Sequence, residues 1–138
     1  MKKADNILHN ATLLTMDTEF HQYEPGAIAI SGYSIIGVGT DDEILKNYEA
    51  VTIIDCKNKV LMPGLVNAHT HVPMTLLRGL ADDLRLDVWL MGYMMPVERE
   101  FVSPDFVHLG TKIACAEMIR SGITSFADMY YFEEDVAK

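Results

Sequence analysis

His69 and His71 are the two residues of this chain whose types and spacing could do chemistry together. Imidazoles two positions apart on a β-strand project from the same side of the backbone, about 6 to 7 Å apart along it, and can converge on one metal ion at roughly 2.0 to 2.1 Å. Thr70 between them points the other way. The spacing alone is a weak signal. Five histidines scattered among 138 residues would produce it in roughly one chain in five or six. Two structural histidines therefore remain the other reading of the bare pair.

The element that must position the pair gives it more weight. Leu65, Val66 and Ala68 form a short apolar run after the Pro63-Gly64 break, which predicts a parallel strand covered on both faces, with the histidines at its C-terminal end. Parallel α/β folds place their chemistry at that end. After His71 the pattern turns helical: Leu76, Leu77, Leu80 and Leu84 keep spacings of three and four, and Asp87 is placed to cap a segment through Met91 that Pro96 breaks. Ser103 as cap, Pro104 at the first position and Gly122 as the stop then delimit a long helix, with Phe106, Leu109, Ile113 and Ala116 as its apolar stripe. Ile123 to Met129 reads as a second strand and Glu133 to Lys138 as the opening of another helix. Strand, helices, strand, helix is the alternation of a parallel sheet or barrel.

The first sixty residues have a different grain. Strands are predicted over Ile7 to Met16, Ala27 to Ser31, Ser34 to Val38 and Val51 to Asp55, with a tight turn at Ser31-Gly32-Tyr33 and a short helix capped by Asp41 or Asp42. So thin a sheet would leave a face or an edge uncovered unless something else packs on it. The expected division is a β segment over 1–60 and βα units over 61–138.

Composition narrows the function. With 49% hydrophobic and 22% charged residues the chain has the make-up of a folded globular protein. A formal net charge of -9 without Lys/Arg patches argues against nucleic-acid or anionic-membrane partners. Cys56 and Cys115 lack metal or redox spacing and read as free buried thiols, and Met1-Lys2-Lys3 is followed by Ala4-Asp5-Asn6 where a signal peptide needs an apolar run. A cytoplasmic protein is expected.

Metal chemistry is the catalytic reading with support, since no Gly-rich phosphate loop, no Gly-x-Ser-x-Gly elbow and no cysteine beside a base is present. A hydrolytic zinc site typically has three protein ligands and an open position for a water whose pKa falls to about 7. His9 and His21 in the β segment and His108 inside a helix are poor candidates for the third ligand. From residue types alone, Glu98 reads as a solvated helix carboxylate and Trp89 as a core residue.

The stretch Met62-Pro63-Gly64-Leu65-Val66-Asn67-Ala68-His69-Thr70-His71, continued through Asp83, resembles the amidohydrolase superfamily. Leu13-Leu14-Thr15-Met16-Asp17, Leu86-Asp87-Val88-Trp89-Leu90, Pro96-Val97-Glu98 and Gly122 through Tyr130 extend the likeness over nearly the whole chain. The similarity is strongest to the subgroup of methylthioadenosine/S-adenosylhomocysteine deaminases and s-triazine chlorohydrolases. It implies an α/β fold class, with the N-terminal part of a β-sandwich subdomain followed by the first βα units of a metal-dependent (β/α)8 barrel, incomplete in this chain.

It also implies His69 and His71 as ligands of one divalent zinc, or iron in some relatives, Glu98 as the carboxylate that holds ribose hydroxyls, and Trp89 as a pocket residue. Asp128 has no ligand role in this likeness and is expected to be structural. The substrate class is a small nucleoside or another nitrogen heterocycle. The family's remaining ligands and its proton-shuttling histidine and glutamate have no counterpart here, so no catalytic residue is expected in this chain. By itself it is expected to be inactive and to need the remainder of the barrel or a homo-oligomeric partner. A chlorohydrolase or other aminohydrolase acting on a nitrogen heterocycle is the alternative within the superfamily. A truncated, non-enzymatic binding or assembly protein is the alternative of another class.

Overall fold

The short, β-rich segments of the first half assemble into a five-stranded mixed sheet in the computed structural model, which describes residues 1–138. The chain divides into two units, Met1–Pro63 and Gly64–Lys138. In the first, β1 (Lys2–Leu14), β2 (Gln22–Ser31), β3 (Ser34–Thr40) and β4 (Tyr48–Asp55) lie in the order β3-β2-β1-β4, and the two-residue β5 (Val60–Leu61) also pairs with β1. β1 is antiparallel to β2 and parallel to β4, and β2 and β3 form a hairpin.

Helix α1 (Asp41–Asn47) makes the crossover between β3 and β4, and its cap is Thr40 rather than Asp41 or Asp42. Thr40 and Glu43 form a capping box, which satisfies two otherwise unpaired backbone donors. That releases Asp41 for another task. Its carboxylate accepts from the backbone N–H of Asn10 at 2.9 and 3.0 Å, where β1 is bulged and Asn10 takes a positive φ that Asn tolerates well.

Ile7, Ala27, Ala29, Ile44 and Tyr48 form the core of this unit. The outer strands keep Ile36, Val38, Val51 and Ile53 in solvent. The open face expected of so thin a sheet is therefore present.

The second unit carries a parallel pair, β6 (Leu65–Thr70) and β7 (Ile123–Asp128), joined through helices. The expected strand is there, but not its burial: Leu65 is 50% and Val66 67% exposed, because β6 has one strand neighbour. A 3-10 turn over Val72–Leu77 follows. The expected helix through Leu80 and Leu84 does not form, because Gly79 and Asp83 take positive φ and end the helical path.

Arg85, not Asp87, precedes the next helix, and Asp87 pairs with the Arg85 guanidinium at 2.8 Å. Pro96 does not break this segment. Helix α2 (Leu86–Val88), a π turn over Trp89–Met94 and α3 (Met95–Phe101) form one continuous helical run. The Met95 N–H donates to the Leu90 carbonyl, five residues back. A widened turn just before a proline relieves the clash of its ring with the carbonyl four residues back.

Helix α4 (Pro104–Arg120) has the expected cap, with the Ser103 hydroxyl accepting from Phe106 N–H. Its buried stripe is Val107, Gly110, Thr111, Ala114 and Met118, one residue round from the expected one, and Leu109 is 53% exposed. Small residues decide this. A Cβ on Gly110 would lie 2.6 Å from the Pro73 carbonyl oxygen, so this face of α4 sits directly on the 3-10 turn, where a larger stripe could not. Helix α5 (Glu133–Val136) closes the chain. No helix is long and apolar enough to cross a membrane.

Candidate functional site at the ends of the parallel strands

The two histidines stand at the C-terminal end of β6, His69 within the strand and His71 just beyond its last residue, Thr70. Their ring centroids are 5.3 Å apart and nearly perpendicular, so the imidazoles meet edge to face. Across the pair, β7 ends at Asp128. The Met129 N–H donates to the Thr70 carbonyl at 3.0 Å, and His71 Nδ1–H donates to the Met129 carbonyl. A carbonyl only accepts, so this bond fixes the proton on Nδ1 and leaves the Nε2 lone pair free. A bond from the other ring nitrogen to a backbone carbonyl is what a metal-binding histidine uses to set its tautomer.

Asp128 closes the same end of the sheet from the other side. Its Oδ1 accepts from the Val72 backbone N–H at 2.7 Å, holding the turn that carries His71. The expectation of a structural Asp128 matches this bond.

His71, Trp89 and Glu98 face one cleft of about 330 Å³, whose apolar wall includes Met74, Leu90 and Met94. Trp89 and Met94 open and close the π turn, and Glu98 lies one turn into α3. His69 is outside the cleft lining, beside His71. Glu98 is partly buried, and its Oε1 accepts a 2.8 Å hydrogen bond from the Tyr130 hydroxyl. Burial first, then this bond and the Glu98 charge, push the Tyr130 phenol well above its usual range, so it stays a proton donor.

The remaining histidines are engaged elsewhere. His9 Nδ1 lies 3.3 Å from Asp41, His21 Nδ1 lies 2.8 Å from Asp17, and His108 Nδ1 lies 3.4 Å from the Asp135 carbonyl. No group of three His, Cys, Asp or Glu side chains is gathered to hold a metal ion. Cys56 and Cys115 are both free.

Sequence reasoning gives no role to Met129, Tyr130 or Tyr131, all of which line the cleft. The available signal was their place directly after a parallel strand, on the same edge as His71. The Tyr130–Glu98 pairing spans 32 residues and has no local signature.

Comparison with known proteins gives the same region a family. The sequence profile described as "Amidohydrolase family" matches residues 60–138. A 5-methylthioadenosine/S-adenosylhomocysteine deaminase of Syntrophus aciditrophicus is 44% identical over 138 residues, covering 100% of this chain and 31% of that protein. A 5'-deoxyadenosine deaminase of Methanosarcina mazei is 47% identical over 135 residues, 98% of this chain and 30% of that protein. In structure, the chain is similar to an adenosine deaminase from Xanthomonas campestris crystallised with bound zinc. The TM-score is 0.90 and the identity 39%, over 99% of this chain and 31% of that one. The chain thus spans about a third of the length of the relatives it matches. A profile match over residues 60–138, which takes in both histidines, the π turn, Glu98 and the end of β7, makes this chain a member of the amidohydrolase family.

Proposed function

We propose that this chain supplies the first-strand metal ligands and the sugar-binding wall of a zinc-dependent deaminase acting on an adenosine-type nucleoside, S-adenosylhomocysteine or methylthioadenosine. The observation that carries the reading is the single cleft on which His71 from the end of β6 converges with Trp89 and the Tyr130-bonded Glu98 from the helical run over Leu86–Phe101.

Two imidazoles are a fitting pair of donors for zinc, or for iron as the alternative, and the His71 tautomer leaves Nε2 available. When bound, such an ion supplies Lewis acidity and lowers the pKa of water to about 7. The net reaction adds water across the amidine carbon of the purine ring and releases ammonia. The rest falls to side chains. Glu98, an acceptor on both oxygens when ionised, takes hydrogen bonds from a vicinal diol. Trp89 offers an aromatic face and Met74, Leu90 and Met94 an apolar wall that keeps water from the ligand.

In this reading the sheet of the first unit belongs to a β-sandwich subdomain and the β6–β7 pair opens a (β/α)8 barrel. Two protein ligands fall short of the usual three. The remaining ligands and the proton-transferring groups come from the remainder of the barrel or from another copy. The free thiols suit a reducing cytoplasm.

The test is ammonia release by the zinc-loaded enzyme that contains this sequence. S-adenosylhomocysteine and methylthioadenosine should both be turned over. Preferential hydrolysis of an s-triazine, which offers no diol to Glu98, would overturn the nucleoside reading in favour of the chlorohydrolase alternative. Retained nucleoside binding without any turnover would favour the binding protein.

A further inference from the structure

We propose that Tyr130 is a positioning and specificity residue. Its hydroxyl locks Glu98 in the rotamer that receives the sugar diol, and its backbone ties that carboxylate to the His71 end of the cleft. The proposal rests on the reading of Glu98 as the sugar-binding carboxylate.

Glu98 is a flexible side chain, and fixing a Glu in one rotamer on binding costs conformational entropy. Tyr130 removes that cost before any ligand arrives. It has two side-chain torsions, and its ring is already packed, 6.3 Å from the His71 ring and 5.1 Å from the Tyr131 ring by centroids. From that fixed ring the hydroxyl reaches Glu98 Oε1 at 2.8 Å.

The bond also sets what Glu98 has left to offer. A phenol donates one proton, so Oε1 keeps one acceptor site and Oε2 keeps both. Two ligand donors, one to each oxygen, fill Oε1 and leave a single acceptor site on Oε2. A vicinal diol supplies both donors, whereas a sugar lacking both hydroxyls leaves a partly buried charge with the Tyr130 bond alone. A ligand anion at this point meets repulsion.

Tyr130 acts at both ends of the cleft because of where it sits in the chain. The peptide before it, at Met129, donates to Thr70 and accepts from His71 Nδ1–H. One residue on, the side chain reaches Glu98. A single short segment thus spaces the diol end of the ligand from the histidine end, a register that helix α3 alone could not guarantee.

The experiment compares Tyr130→Phe with the parent in the zinc-loaded enzyme that contains this sequence. The substrates are adenosine and 2',3'-dideoxyadenosine, followed by turnover and, without turnover, by calorimetric binding. Phenylalanine keeps the ring and its packing. The expected result is a rise of about tenfold in KM or Kd for adenosine with a smaller change in kcat, no change for the dideoxy compound, and unchanged zinc content. In a Glu98→Gln background the Tyr130→Phe effect should vanish, because the two residues act as one unit. Equal losses on both compounds, or no loss on adenosine, would overturn the assignment. Absence of deamination by the parent would sink the proposed function instead, and the binding comparison would still decide the role of Tyr130.

Discussion

Asp128 and Val72 are joined by a 2.7 Å hydrogen bond in which the Val72 backbone N–H donates to the Asp128 carboxylate. It links the last residue of β7 to the first residue of the turn that carries His71, and so couples the two strand ends through a charged acceptor. Asp128→Ala should cost about 1.5 to 3 kcal/mol of stability, as loss of a hydrogen bond to a charged group does, and Asp128→Asn, which keeps an oxygen acceptor, should cost less. Chemical denaturation of the two variants checks the order. Equal costs would show that the acceptor oxygen is not what matters.

Gly110 sets two effects against each other. Alanine is favoured over glycine in a helix by about 1 kcal/mol. The added Cβ, however, would lie 2.6 Å from the Pro73 carbonyl oxygen and 2.8 Å from its Cα, which are backbone atoms that cannot swing aside. Overpacking of this kind costs about 1 to 3 kcal/mol. The steric effect wins, and Gly110→Ala should lower the melting temperature; a rise would mean that α4 can lift off the turn.

Replacing His69 or His71 by Ala should each abolish tight zinc retention in the enzyme that contains this sequence, with affinity falling by more than about 100-fold, beyond the loss typical of a residue that only orients a ligand. Metal analysis after dialysis against a chelator is the measurement. Unchanged stoichiometry in both variants would remove the pair from the metal site.

Asp17 and His21, in the first unit, provide a pH probe that does not involve the histidine pair. The His21 side chain, then its backbone N–H, holds the exposed Asp17 carboxyl down at about 2. A depressed carboxyl contributes stability that is present above its unfolded pKa, near 3.9, and is lost as pH falls through the folded value. The Asp17–His21 turn should therefore lose this support progressively as pH falls from about 4 to about 2. Carboxyl chemical shifts should show Asp17 titrating near 2, and in His21→Ala higher but still below the ordinary value, because the backbone N–H of residue 21 remains as a donor.

What the sequence disclosed of this chain was local chemistry. Ser103, Pro104 and Gly122 delimit α4 because caps act within a few residues of the end they stop, and the His-x-His spacing spans the end of a single strand. The buried face of α4 was not legible. Its apolar residues surround much of the helix, and the choice fell to Gly110 and Ala114, whose small size matters only once the 3-10 turn is in place. Pro96 misled for a related reason, since its effect depends on the π turn before it. Of the cleft, His71 came from its spacing to His69, Trp89 and Glu98 from family likeness, while Tyr130 required the fold, being paired with Glu98 across 32 residues.

The π turn has a consequence for anyone who would alter this protein by length rather than by side chain. A π turn accommodates one residue more than the α-helix it interrupts, and such turns are poor helices in their own right. Deleting one residue between Trp89 and Met94, Gly92 for instance, would let the run from Leu86 to Phe101 close into an ordinary helix with better hydrogen bonds. Because the π turn already absorbs the extra residue, positions after such a deletion would keep roughly their direction about the axis. The same deletion in the α-helical part of the run would turn them by about 100° and take Glu98 away from Tyr130. A deletion in α3 before Glu98 would therefore misalign the cleft, whereas one inside the π turn would reshape only the stretch from Trp89 to Met94. The number of residues in this segment is a property under constraint, as much as which residues they are.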